Sequence, residues 1–238
     1  MSKIVLESVI VDDEYTQYLY DHYDIQIRGK VRTEVPMIAT SDLRSFDWNV
    51  GLIVGESGSG KSTILRHLGI LKEPQYDYGK CVVSQFPQLS PSEVEELLHG
   101  VGLASIPTHL KRVNELSNGQ RARLDIAWQL ANATDGRVLI DEWTSVVDRP
   151  TAKALSFSLQ RYARKHGLRV ILASCHYDII EDEGGNHWLQ PDWIYNLNLR
   201  DAEGDCEIER LVYSDDADYS VFKAVRDKDV LTERFEVR

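Results

Sequence analysis

The nine residues Gly55-Glu56-Ser57-Gly58-Ser59-Gly60-Lys61-Ser62-Thr63 constrain what this chain can fold into more than any other feature. They follow the apolar run Leu52-Ile53-Val54 and precede Ile64, Leu65, Leu68 and Leu71, which recur at helical spacing. A buried strand that runs through a glycine-rich turn into a helix leaves few folds open. The glycines let the backbone curl so that successive N–H groups point inward, and the helix adds the positive end of its dipole. Such a concavity suits a polyphosphate. Lys61 supplies a mobile positive charge there, and the Ser62 hydroxyl is the expected ligand for Mg2+.

The rest of the chain alternates short apolar runs with amphipathic stretches. Ile4 to Val11, Tyr23 to Val31 and Leu52 to Val54 read as strands. So do Cys81 to Ser84, Val138 to Ile140 and Val170 to Ser174. Helices are expected over residues 63–72, over Val94 to Leu98 with Ser90 or Ser92 as cap, over Asn118 to Ala131, and over Thr151 to Lys165 ahead of Gly167. This alternation predicts an α/β fold with a mostly parallel sheet covered on both faces, and an antiparallel β part near the N-terminus. Beyond residue 200 the acids Asp201, Glu203, Asp205, Glu207, Glu209, Asp215, Asp216 and Asp218 mark a change. We therefore expect one domain over 1–200 and an acidic extension over 201–238.

Two further segments carry chemistry. Arg137-Val138-Leu139-Ile140 ends in Asp141 and Glu142. At the carboxyl end of a parallel strand, the first acid can reach a metal shell while the second faces an attacking water. In Leu116-Ser117-Asn118-Gly119-Gln120, Ser117 can cap the helix that follows and leave its N-terminus open to an anion.

The latter segment resembles the LSGGQ signature of ABC-type ATPases, with Asn118 in place of a glycine; asparagine tolerates a left-handed backbone better than most residues. Other elements follow in that family's order. Gln85 resembles the Q-loop glutamine, Asp148 in Thr144-Ser145-Val146-Val147-Asp148 the D-loop acid, and His176 the switch histidine. The resemblance spans about residues 45–200. It implies binding and hydrolysis of ATP with Mg2+ by a phosphate-loop NTPase. Lys61, Gln85, Glu142 and His176 would be catalytic, and Ser62, Gln85 and Asp141 would organise the metal. It also implies a head-to-tail homodimer in which Ser117 and Gly119 of one copy close over ATP held by the other. A separate effector protein would be driven or gated by that dimer.

Composition limits the setting. A 42% hydrophobic and 27% charged content is that of a folded globular chain, and the longest apolar runs are strand-sized. Nothing ahead of Ile4 has the make-up of a secretory leader, and the three cysteines show no CxxC spacing, so a reducing cytoplasm is expected. With a formal charge of −11, unaided non-specific binding to nucleic acid is not expected. Arg161, Arg164, Lys165 and Arg169 are read as a solvated helix face.

The pattern departs from the family in several places. About 30 residues separate Gln85 from the signature, so the helical part must be small. No aromatic stands where adenine would stack; Tyr18, Tyr20 and Tyr23 are assigned to core packing, and Trp143 to the contact between copies. Cys175-His176-Tyr177-Asp178 and Trp188-Leu189-Gln190-Pro191-Asp192-Trp193 resemble the orphan ABC-type ATPases of bacteria and phages joined to an acetyltransferase-like domain, with Glu181 to His187 as a loop insertion. That narrower resemblance implies a soluble ATPase acting in nucleic-acid modification or DNA metabolism. The alternative is the ATP-binding subunit of a membrane transporter, which the small helical part disfavours.

Overall fold

The computed structural model describes residues 3–23, 25, 29–180, 187–199, 204–213 and 222–225. Glu181, Gly184 and Gly185 of the expected loop insertion lie outside the described residues. So do Asp201, Glu203, Asp215, Asp216 and Asp218 of the acidic region.

Two antiparallel strands, β1 (Lys3–Val9) and β2 (Lys30–Pro36), form a separate ribbon, with helix α1 (Glu14–His22) between them in sequence. Asp13 caps α1 through a reciprocal capping box with Thr16, which explains its start. No residue of α1 is buried, and Tyr18 and Tyr23 are 56% and 60% exposed. Core packing therefore does not hold for those two tyrosines. Their segment lacks the apolar stripe that would press a helix onto the body.

The second sheet runs β4 (Arg137–Ile140), β5 (Arg169–Ser174), β3 (Val50–Val54), β6 (Trp193–Asn196), β7 (Ile208–Tyr213) and β8 (Phe222–Val225). The first four are parallel, and β7 and β8 add antiparallel strands at one edge. Strand β3 lies in the middle and is buried along its whole length. Its alternation splits the core in two. Val50, Leu52 and Val54 join one apolar cluster with residues of α4 (Pro91–Gly100), α6 (Asn118–Ala131) and α7 (Arg149–Lys165). Ile53 joins the other with α3 (Lys61–Leu68) and the edge-to-face pair Trp48 and Trp193. Gly51 is needed there because a Cβ would fall 2.0 Å from the Trp193 ring. Both faces are covered, as a parallel sheet requires.

The helices follow local signals. Ser90 caps α4 with Glu93 completing a capping box and Pro91 in the first turn, and Ser117 and Gln120 do the same for α6. Three expectations shift. Of the expected strand Tyr23 to Val31, only Lys30 and Val31 are strand among the described residues, at the start of β2. Helix α3 stops at Leu68 rather than reaching residue 72, with Gly69 at its C-cap. Cys81 to Ser84 is not a strand: Val82–Gln85 forms a turn of 3-10 helix, held by the Gln85 side chain and one bridge between Cys81 and Arg112. The basic residues of α7 and β5 also differ from a simple solvated face. Arg164 donates to Asp192 at 2.8 Å, and Lys165 pairs with Glu96 at 2.7 Å. Trp143 is 3% exposed and lies in the core, so it cannot shape a contact between copies.

Candidate nucleotide site

Parallel pairing sets the site. Ile140 of β4 lies opposite Leu172 of β5, and Val54 of β3 opposite Ser174 of β5. The residues that follow these three neighbouring strands therefore leave the sheet at one edge: Asp141 and Glu142 after β4, Cys175 and His176 after β5, and the glycine-rich loop after β3. Ligands of open α/β sheets bind outside such carboxyl ends.

The loop needs glycine at Gly60, the N-cap of α3, because its φ is 104° and a Cβ would meet Val35 at 2.6 Å. Lys61 is 5% exposed, and its ammonium donates to the carbonyl oxygens of Gly55 at 2.9 Å and Glu56 at 2.7 Å. The cation is thus already folded into the loop it serves. The loop is anchored from outside as well. The Glu56 N–H donates to Asn198 Oδ1 at 3.1 Å, the Asn198 amide donates to the Tyr177 hydroxyl at 3.0 Å, and that hydroxyl donates to Asn196 Oδ1 at 2.8 Å. This chain ties the phosphate loop to the segment carrying His176.

Asp141 Oδ1 is buried and makes no hydrogen bond, a costly arrangement that a cation would relieve. The donor set of Asp141 and the Ser62 hydroxyl consists of hard oxygens suited to Mg2+ completed by waters and phosphate oxygens. No cluster of three or more His, Cys, Asp or Glu that would make an all-protein metal cage occurs among the described residues. Glu142 has φ 44°, unusual for a residue with a Cβ. Its carbonyl accepts from the Ser145 N–H at 2.9 Å and the Ser145 hydroxyl at 2.8 Å. Those bonds hold the left-handed kink and leave the carboxylate exposed at the sheet edge.

His176 Nδ1 lies 3.3 Å from Thr144 Oγ1, and the His176 N–H donates to Ser174 Oγ at 3.0 Å. Burial pushes the imidazole pKa below 6.5, and the positive charges of Arg149 and Lys61 push the same way against Asp178. The ring is neutral at pH 7, with one nitrogen able to donate and the other to accept. Arg149 grips Asp178 through both guanidinium arms, one at 2.9 Å. Although burial works to raise the Asp178 pKa, Arg149 holds it below the usual carboxylate value.

The other expected residues sit differently. Gln85 is 8% exposed, and its amide is occupied by one turn: its oxygen accepts from the Asp77 N–H at 3.0 Å, and its nitrogen donates to Asp77 O at 2.8 Å and to Lys80 O and Cys81 O at 3.2 Å. Asp148 caps α7, accepting from the Thr151 N–H at 2.9 Å and its hydroxyl at 2.8 Å. Ser117 is exposed and forms a capping box with Gln120; Leu116 packs on the core, and Gly119 lies beside Val146 and Val147. The phosphate loop, the acid pair and His176 come together, whereas the Gln85 amide is turned into its own loop and Ser117 and Asn118 of the signature face solvent.

Sequence reasoning missed Thr144 as the partner of His176, the Arg149–Asp178 pair, and Asn196 and Asn198. The asparagines had a signal, since one amide closes the strand β6 and a second follows two positions later. The others join residues 29 and 32 positions apart and have no local signature.

These features define an α/β phosphate-loop domain with the motif order of ABC-type ATPases. The chain is similar to several particular proteins. Methionine import ATP-binding protein MetN of Streptococcus pyogenes serotype M12 (strain MGAS2096) is 29% identical over 212 residues, covering 68% of this chain and 58% of the relative. MetN of serotype M3 (strain SSI-1) is 28% identical with the same coverage. The chain thus spans 58% of the length of these curated relatives. No family model matches. Among solved structures, the dimeric MJ0796, a bacterial ABC transporter cassette, is 20% identical with a TM-score of 0.47, covering 68% of this chain and 85% of that one. A complex of archaeal ribosomal stalk protein aP1 with the ribosome recycling factor aABCE1 gives 21%, a TM-score of 0.49, and coverage of 79% and 43%.

Proposed function

We propose that this chain binds ATP at its phosphate loop, hydrolyses it with Mg2+, and closes onto a second copy as it does so. The observation that carries the reading is the ending of β4, β5 and β3 side by side, which presents an acid pair, a neutral histidine and a phosphate loop at one sheet edge. Lys61 and the loop N–H groups hold the phosphates. Ser62 and Asp141 hold Mg2+, which neutralises phosphate charge when bound. Glu142 orients and polarises the attacking water, and His176 hydrogen-bonds the γ-phosphoryl oxygens as charge builds there. Ser117 and Gly119 of a second copy complete the anion site. Release of phosphate from ATP by the purified protein, abolished in Lys61→Ala, tests this; a protein that binds ATP without turnover refutes the enzyme.

The setting we favour is an ATP-binding subunit that works with a membrane partner from the cytoplasmic side. What supports it is that the relatives are import ATP-binding proteins. No helix among the described residues is long and apolar enough to cross a membrane, so the partner would supply the membrane-spanning part. A second reading, a stand-alone ATPase gating a soluble effector, with nucleic-acid modification as one setting, draws on the small helical part. Between Gln85 and Ser117 there are only α4, the four-residue helix α5 (Ile106–His109) and one 3-10 turn. Its narrower form, the acetyltransferase-associated group, draws on the Cys175–Asp178 and Trp188–Trp193 segments alone. Gln85 as a metal-sensing residue and 201–238 as an extension of a 1–200 domain are kept as proposals. Co-purification of Glu142→Gln protein held in ATP separates the settings: a polytopic membrane protein supports the first, a soluble partner the second.

A further inference from the structure

A cavity of about 370 Å3 opens at the end of the fold where α3 and α6 finish and β4 begins. Its apolar wall is Leu68, Val138 and Leu139, each buried, extended by the exposed Ile70. Three cations line it: Arg44 from α2 (Thr40–Arg44), Lys72 from the segment after α3, and Arg137 at the start of β4. Asp135 is the one acid on the lining. Lys72 donates to the carbonyl of Asn132, which also borders the cavity. Among the described residues, neither the Arg44 nor the Arg137 guanidinium has a carboxylate within ion-pairing distance. Both residues are exposed, so in a chain of formal charge −11 their guanidiniums remain available to an anion at the cavity mouth.

Gln129 also lines the cavity, and an amide nitrogen there can donate to an anion. The cations are held apart by firm backbone. Arg137 follows a two-residue turn in which Asp135 (φ 51°) and Gly136 (φ 70°) take left-handed conformations, closed by bonds of 2.9 and 3.3 Å between Thr134 and Arg137. The volume falls in the range of small-molecule sites, and an apolar wall with a few convergent polar groups is their usual make-up.

We propose that this cavity binds a small amphipathic anion, a carboxylate or phosphate head seated between Arg44 and Arg137 with a short apolar body against Leu68 and Leu139. Guanidinium forks match both head groups, and the wall rejects an ion without a tail. The site is separate from the phosphate loop, but it touches the far ends of the three elements whose near ends carry Lys61, Asp141 and the signature segment.

Calorimetric titration of the full chain without nucleotide tests the proposal, using octanoate, octyl phosphate, inorganic phosphate and octanol as probes. Octanoate or octyl phosphate should bind, and the stronger of the two identifies the head group. Inorganic phosphate and octanol should bind at least about tenfold more weakly, because each lacks half of the contact. Arg44→Gln and Arg137→Gln should each weaken binding about tenfold or more. Arg44 is exposed on a short surface helix, so its variant should keep the fold, which circular dichroism verifies. Lys61→Ala should bind the probes as the wild type does, whether or not the phosphate loop takes ATP. The proposal is overturned if neither amphiphile binds at millimolar concentration, if phosphate or octanol binds equally well, if both arginine variants bind as the wild type does, or if Lys61→Ala loses the binding.

Discussion

Lys61 is held by two carbonyl oxygens of its own loop, so its ammonium is placed before any phosphate arrives. A charge-assisted bond of this kind is worth about 1.5–3 kcal/mol, so Lys61→Ala should weaken ATP binding by roughly one to two orders of magnitude in calorimetry. Unchanged affinity in a folded variant would show that the loop does not serve phosphates. His176 makes a second residue-scale prediction. Its pKa is depressed below 6.5, so the unfolded chain takes up the proton more readily than the folded one. The stability tied to the neutral ring is fully present above pH 6.5 and is lost as pH falls through the lower folded value. The difference in unfolding free energy between wild type and His176→Gln, from denaturant melts, should stay constant above pH 6.5 and decline below it. A difference that rises on acidification would mean that the charged ring is the favoured one.

Gln85 joins two elements. Its amide fixes the turn from Asp77 to Cys81, and the tyrosines flanking Asp77 embrace the signature helix: Arg121 of α6 sits 4.4 Å over the Tyr76 ring, and the Tyr76 hydroxyl donates to Asp125 at 2.8 Å. Burial, with the Asp125 charge beside it, raises the Tyr76 pKa far above the ordinary value, so this hydroxyl stays a donor. Gln85→Ala leaves half-buried backbone groups of the turn without the glutamine's bonds and should cost about 1 kcal/mol of stability in urea melts. Unaltered stability with turnover lost would instead assign this glutamine to the metal and water alone. The N-terminus of α6 gives a test of the composite site. Ser117→Arg sets a bulky cation beside a second copy's γ-phosphate while leaving the variant's own loop untouched, so ATP binding should survive and turnover fail. Normal turnover would rule out closure by a second copy.

For the molecule as a whole, the acid after β4 links chemistry to assembly. Glu142 keeps a left-handed backbone that costs of order 1–3 kcal/mol for a residue with a Cβ, a strain supported by the two bonds from Ser145. Glu142→Gln keeps that shape but removes the proposed base and the negative charge that it would place near the γ-phosphate. Turnover should fall about 10² to 10⁴-fold while ATP binding persists. With hydrolysis blocked and repulsion reduced, the variant should be a monomer without nucleotide and a dimer with ATP and Mg2+. Light scattering coupled to size exclusion measures this. A variant that remains monomeric in saturating ATP would remove the coupling between hydrolysis and closure.

Much of what depends on neighbours a few residues apart was legible in the sequence, although helix α1 and its Asp13–Thr16 capping box were not read from it. The strand, glycine-rich turn and helix around Lys61, the capping box that opens α6 at Asn118, the acid pair after β4 and the parallel sheet all follow from spacing, caps and period. Tertiary structure decided what spacing cannot encode. Trp143 went into the core because its position after the Asp141-Glu142 kink faces the cluster of α4, α6 and α7. Tyr18 and Tyr23 stayed outside because α1 packs no face on the body. Val82–Gln85 became a 3-10 turn because its glutamine satisfies the backbone that a ladder would otherwise have paired. The cation-lined cavity exists only because α2, α3 and α6 end where β4 begins, bringing together residues from 44 to 139 in sequence. Local backbone preferences act over one or two turns of chain, whereas burial and charge pairing act on whatever the fold brings within a few ångströms.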